Sequence, residues 1–123
     1  MWCRGIRGAT LAAANTRDDL LEATNELLQK MVEANQIDTE AVACAFFTAS
    51  PDLNAEFPAL AARQLGWTDV ALMCAQEMNV SHSLPRCIRI LVLYNTEKRA
   101  DEIVHVYIRG AEALKQGLGE AGG

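Results

Sequence analysis

The run Cys87-Ile88-Arg89-Ile90-Leu91-Val92-Leu93-Tyr94 constrains the fold more than any other stretch of the chain. Side chains of a strand alternate between its two faces, so Arg89 lies with Leu91 and Leu93, and Ile88, Ile90 and Val92 lie opposite. A strand that is apolar on both faces belongs in the middle of a sheet covered on both sides. Residues Arg86 to Tyr94 are therefore predicted to form a central strand, and the rest of the chain has to supply its neighbours and its cover.

Cys3 to Leu11 alternates as a first strand, with Arg7 on the side of Gly5, Ala9 and Leu11. Thr16-Arg17-Asp18-Asp19 predicts a helix start, with Thr16 as N-cap and acids in the first turn. Leu20, Thr24, Leu27, Leu28 and Met31 then recur at three- and four-residue steps as an amphipathic stripe, and Asn35 is the predicted left-handed stop. Val42 to Thr48 reads as a buried second strand that Ser50-Pro51-Asp52 breaks. Pro58 stands at a first helical position before Ala59 to Leu65, and Gly66 ends that short helix. Asp69 to Cys74 is predicted as a third strand, Ala75 to Pro85 as a loop, and Glu102 to Ile108 as a fifth strand. A chain of 123 residues fits one domain, expected over 1–115, followed by a flexible glycine-rich tail at 116–123. The fold class is α+β, a five-stranded sheet packed by one long and one short helix.

These elements do not cover one another. Five strands at about 4.8 Å spacing make a sheet roughly 24 Å wide. A helix about 10 Å across covers around half of one face. The uncovered apolar face predicts self-association.

The net charge is −5 and the Lys and Arg residues are scattered, which argues against a nucleic-acid partner. No apolar run approaches the roughly 18 residues of a membrane span, and no secretory leader is evident. Cys3, Cys44, Cys74 and Cys87 form no C-x-x-C pair, and His82 and His105 lack ligand-like spacing, so no metal or other cofactor is expected. Unpaired thiols without a leader predict a cytoplasmic protein. Nucleophile-elbow, Walker and dinucleotide-binding motifs are all absent.

What remains is a set of polar groups in apolar or small-residue settings: Arg7, Arg63, Arg89, Glu77, Cys74 and Tyr107. Such a set suits binding a small anion and stabilising charge, with no proton transfer required. Each residue also has a plain structural reading. Arg89 would pair with a structural acid. Arg7 would be an edge-strand charge, and Arg63 and Glu77 would face water. Cys74 would be a small core residue and Tyr107 a core aromatic.

Arg4-Gly5-Ile6-Arg7-Gly8-Ala9-Thr10 resembles the opening of the trimeric chorismate mutases. So do Pro51-Asp52-Leu53, Phe57-Pro58-Ala59, Cys74-x-x-Glu77-Met78, Cys87-Ile88-Arg89 and His105-Val106-Tyr107, in family order and spacing over nearly the whole chain. The resemblance implies three copies forming a pseudo-α/β barrel, with active sites in clefts between subunits, and rearrangement of chorismate to prephenate without a cofactor. It further implies that Arg89 faces the ether oxygen, that Arg7 and Tyr107 hold a carboxylate, and that Glu77 accepts from the ring hydroxyl with Cys74 in the same pocket. Phe57 and Arg63 would come from the adjoining side of the cleft, and Ala59, Met73 and Leu114 would be wall residues. His105 is left without a role. The chain departs from the family pattern at Leu60, where a lysine is common, and at Lys115-Gln116-Gly117, which replaces an arginine followed by Pro-Asp. Lys115 would then close over the dianion as a point charge. Two other readings fit such a sequence: a trimeric imine or enamine hydrolase, and a trimeric metabolite-binding module without catalysis.

Overall fold

A computed structural model of the chain describes residues 1–116. Of the tail expected at 116–123, residue 116 ends a helix and 117–123 lie outside the described residues. Among the described residues the elements run β1 (Trp2–Leu11), α1 (Arg17–Asn35), β2 (Val42–Ala49), α2 (Ala59–Gln64), β3 (Ala71–Gln76), β4 (Cys87–Thr96), β5 (Val106–Tyr107) and α3 (Glu112–Gln116). The strands form one mixed sheet in the order β3-β2-β4-β1-β5. β4 is central and antiparallel to both β1 and β2, while β5 and β3 are parallel edges on β1 and β2.

α1 lies across one face of this sheet. Its Leu27, Leu28 and Met31 pack on Ile6, Phe47, Ile90 and Val92, all buried. The helix comes close because β1 has Gly8 beneath it. A Cβ at that position would run into Met31 Sδ and stand 3.0 Å from Leu27 Cδ1. On the other face of β4, Arg89, Leu91 and Leu93 are only half-buried. Phe46 and Met73, neighbours across β2 and β3, are 36% and 61% exposed. One side of the sheet is thus packed and the other open, as the width argument requires.

Caps explain the limits of α1. Thr16 is extended and its Oγ1 accepts the Asp19 N–H at 3.1 Å, as the sequence predicts. The stop falls one residue later than expected: Gln36, not Asn35, is left-handed, with φ 51°. Asn35 stays helical because its buried side chain is engaged elsewhere. Its Oδ1 accepts from Val104 N–H (2.8 Å), and its Nδ2 donates to the Val104 carbonyl (2.9 Å).

That contact also shortens the fifth strand. Residues Glu102 to Ile108 were expected as one strand, but only Val106 and Tyr107 form a ladder, and Ala100–Glu102 is a 3-10 turn. The Asn35 side chain satisfies Val104 in place of a neighbouring strand, so the backbone there has no need of one. The third strand is displaced as well, running Ala71–Gln76 rather than Asp69–Cys74. Its limits follow parallel pairing with β2, from Cys44↔Ala71 to Ala49↔Gln76, which local propensity does not encode. Two short elements escape the sequence reading, the 3-10 turn Thr39–Ala41 and α3. Glu112 anchors the start of α3 by accepting the Gly110 N–H at 2.7 Å.

Candidate active site

One row of the sheet, read across all five strands, runs Ala75, Thr48, Arg89, Ala9, Tyr107. Alanine beside Arg89 leaves room for a guanidinium and a phenol to lie over the sheet. Arg7 projects from the same face of β1, two residues before Ala9. Together Arg7, Arg89 and Tyr107 line a cleft of about 230 Å³ on the open face, walled by Phe46 and Leu91.

Glu77 reaches this cleft from just beyond β3. Its N–H continues the ladder to the Ala49 carbonyl (2.9 Å), and its side chain turns over the sheet to Arg89. Arg89 Nε donates to Oε2 and Nη2 to Oε1, both at 2.7 Å, in a two-pronged ion pair. The Thr48 hydroxyl also donates to Glu77 Oε2. Burial alone would raise the Glu77 carboxyl, but the Arg89 and Thr48 hydrogen bonds and the Arg89 charge outweigh it and hold the pKa below its ordinary value. The Glu77 hydrogen bond likewise raises the pKa of Arg89 against the opposing effect of burial. The pair is a fixed zwitterion.

Two further donors in the cleft are uncommitted. Among the described residues the Tyr107 hydroxyl is buried without a hydrogen-bond partner, and the Arg7 guanidinium makes no hydrogen bond or ion pair. A buried hydroxyl without a partner is costly unless a ligand completes it. Beside a free cation, the natural ligand is an anion.

The other residues singled out from the sequence lie elsewhere on the same chain. Cys74 was expected in the pocket of Glu77, but it pairs with Phe47 in β3–β2 and packs against the helix-covered core. Alternation places it on the face opposite Met73, and so opposite the Arg89 cleft. Cys74 and Phe57 instead line a second cleft of about 470 Å³ below the start of α2. Phe57 is 71% exposed, Arg63 is exposed on α2, and Ala59 is buried beneath it. Met73 is exposed on the open face beyond Phe46, while on α3 Leu114 is half-buried and Lys115 exposed. Arg7, Glu77, Arg89 and Tyr107 therefore converge in one chain, and Phe57, Cys74, Ala59, Met73, Arg63, Leu114 and Lys115 lie outside their cleft.

Sequence reasoning missed Thr48. The signal was a hydroxyl residue on the Phe46 face of an otherwise apolar strand. All four cysteines are free thiols. Burial pushes the Cys87 thiol up to about 11, which removes it as a nucleophile despite its place two residues from Arg89. Among the described residues no cluster of three metal-ligating side chains occurs, and no helix is long and apolar enough to cross a membrane.

The chain is similar to known proteins over nearly its whole length. A family model described as chorismate mutase type I matches residues 3–118. A chorismate mutase AroH of Thermus thermophilus is 47% identical over 119 residues, covering 96% of this chain and 98% of the relative. The chorismate mutase AroH of Bacillus subtilis (strain 168) is 41% identical over 119 residues, covering 96% of this chain and 94% of the relative. A solved chorismate mutase from Clostridium thermocellum superposes with a TM-score of 0.88 at 44% identity, over 93% of this chain and all of that one. The match spans the central strand, the Arg89–Glu77 pair and both edges of the cleft, and on this ground the chain belongs to the type I chorismate mutase family.

Proposed function

We propose that this protein rearranges chorismate to prephenate, and that the Arg7, Arg89, Glu77 and Tyr107 cleft is half of its active site. The observation that carries the reading is the pair of uncommitted donors, Arg7 and the Tyr107 hydroxyl, beside an arginine held rigid by Glu77. Chorismate brings two carboxylates, an ether oxygen and a ring hydroxyl. Its rearrangement breaks a C–O bond and makes a C–C bond through a chair-like transition state, and needs no acid, base or nucleophile.

The task for the protein is to hold the compact conformer and meet negative charge growing on the ether oxygen. Arg7 and Tyr107 grip one carboxylate. Arg89 donates to the ether oxygen: a guanidinium presents a rigid fork of five N–H donors, and its ion pair with Glu77 fixes that fork over the cleft. Glu77, kept ionised, accepts from the ring hydroxyl. Preorganised donors of this kind cost no reorganisation as the reaction proceeds.

The site is completed by a second copy in a homotrimer. A cleft of about 230 Å³ is smaller than the roughly 300–1,000 Å³ of pockets that enclose a drug-sized ligand, and its mouth lies on the apolar open face. Phe57 and Arg63, exposed just before and on α2, supply the adjoining wall, with Ala59, Cys74, Met73, Leu114 and Lys115 around the rim. Free thiols fit a reducing cytoplasm.

The test is loss of chorismate absorbance on incubation with purified protein, with no metal or cofactor added. Turnover to prephenate is expected. Binding without turnover, or a carbonyl product from imine substrates instead, overturns the proposal.

A further inference from the structure

His105 belongs to a sequence block that nothing above explains. Among the described residues β5 meets β1 through two register pairs, Gly8↔Val106 and Ala9↔Tyr107, with the Ile108 N–H adding a bond to the Ala9 carbonyl at 3.0 Å. This is a short ladder for a strand that presents the Tyr107 hydroxyl to the cleft. It is lengthened by a side chain. The backbone N–H of Arg7 donates to His105 Nδ1 at 3.0 Å, across 98 residues of sequence. One bond therefore ties the residue that carries the guanidinium to the strand that carries the phenol.

We propose that His105 is a positioning residue, whose neutral imidazole pins the Tyr107 strand to the Arg7 strand and so sets the spacing of the two carboxylate-binding donors. The inference rests on the chorismate reading above only for its kinetic readout. An acceptor at Nδ1 requires a lone pair there, so the ring proton sits on Nε2 and the imidazole is uncharged. A second proton would turn Nδ1 into a donor facing another donor, and the bond would open. The surroundings oppose that proton. Burial, then the charges of Arg7 on β1 and Lys115 on α3, hold the His105 pKa below 6.5. In neutral solution the peg is in place. As pH falls through that lowered pKa, the peg is withdrawn and Arg7 and Tyr107 lose their common frame. Arg89 sits on the other side of β1 and keeps its own support from Glu77 and Thr48.

The prediction is an acid limb in KM rather than kcat, because a carboxylate grip holds substrate and transition state alike. KM for chorismate should rise roughly 3- to 10-fold below the His105 pKa, the scale of one lost hydrogen bond. The Arg89 and Thr48 hydrogen bonds outweigh burial and hold the Glu77 carboxyl below its ordinary value. His105→Asn places an amide oxygen where Nδ1 stood but does not titrate. It should keep the KM of the unsubstituted protein at pH 8 and lose the acid limb. His105→Phe should show the raised KM at every pH. An unchanged KM in His105→Phe, or an intact acid limb in His105→Asn, overturns the proposal.

The ¹⁵N spectrum of the His105 ring in the unliganded full chain tests the same claim without activity. At pH 7.5 Nδ1 should be unprotonated, and the protection factor of the Arg7 amide, its exchange rate relative to the intrinsic rate at the same pH, should fall as pH drops through the ring's titration. A proton on Nδ1 at pH 7.5 sinks the inference even if the enzyme turns over. Failure of turnover with the expected spectrum sinks only the chorismate reading.

Discussion

Arg89 has a side chain one-third exposed, yet it meets Glu77 through two 2.7 Å bonds, and Thr48 braces the same carboxylate. The structural reading of this arginine, a cation paired with an acid, and the catalytic one are not rivals. A guanidinium that must face a developing charge has to be held by something, and an acid does this without giving up the fork. Arg89→Ala should lower kcat at least roughly 100-fold, the scale of deleting one preorganised transition-state donor. A kcat near normal would show that the arginine serves the fold alone. The sign of the Glu77 shift makes a second prediction. Its folded pKa is depressed, so it contributes stability that is present above the unfolded value of about 4.3 and is lost as pH falls through the folded value. The urea midpoint of the unsubstituted protein should therefore fall more steeply below that pH than the midpoint of Glu77→Gln. Parallel curves would mean that the pairing adds nothing to the native state.

α1 packs closely on β1 at Gly8. Gly8 stands where Met31 and Leu27 descend onto the strand, so the helix sits low enough for one amphipathic stripe to reach Ile90 and Val92 on β4. Gly8→Ala forces those side chains aside and should cost about 1–3 kcal/mol in urea unfolding, as overpacked cores do. A change near zero would mean that α1 shifts freely, contrary to its buried Leu27, Leu28 and Met31. The capping of α1 was legible because N-cap chemistry is local: Thr16 needs only the N–H three residues on. Its far end was not. Asn35 looks like a stop by type, but it acts as a strand surrogate for Val104, 69 residues away.

The molecule as a whole is one-sided. Its helix face is closed, while Phe46, Met73 and Phe57 are 36%, 61% and 71% exposed on a chain whose proposed site is split between two clefts. Assembly into a trimer would bury the open face and bring the Phe57 and Arg63 end of one copy to the Arg89 cleft of the next. That division of labour has a direct test. Arg89→Ala and Arg63→Ala subunits, each impaired alone, should regain turnover when unfolded together and refolded as mixed oligomers. In such mixtures some clefts draw both arginines from unsubstituted halves. No recovery, or a monomer by light scattering, would place the whole site within one chain.

Period-two alternation, helix caps and turn residues act over a few positions. The sequence by itself thus determined β1, α1, β2 and the central β4, together with the shared face of Arg7 and its neighbours. Six short blocks at family spacing carried the expectation of which residues form the site. The tertiary structure alone decided which face of β3 looks to the core, and so moved Cys74 away from Glu77. It also decided that β5 is two residues long, that Thr48 braces Glu77, and that a histidine ring accepts the Arg7 amide. The reason is range: Arg89–Glu77, Asn35–Val104 and Arg7–His105 join residues 12, 69 and 98 apart. No local preference encodes where such partners meet. Only the assembled sheet brings their bonding atoms within 3.0 Å.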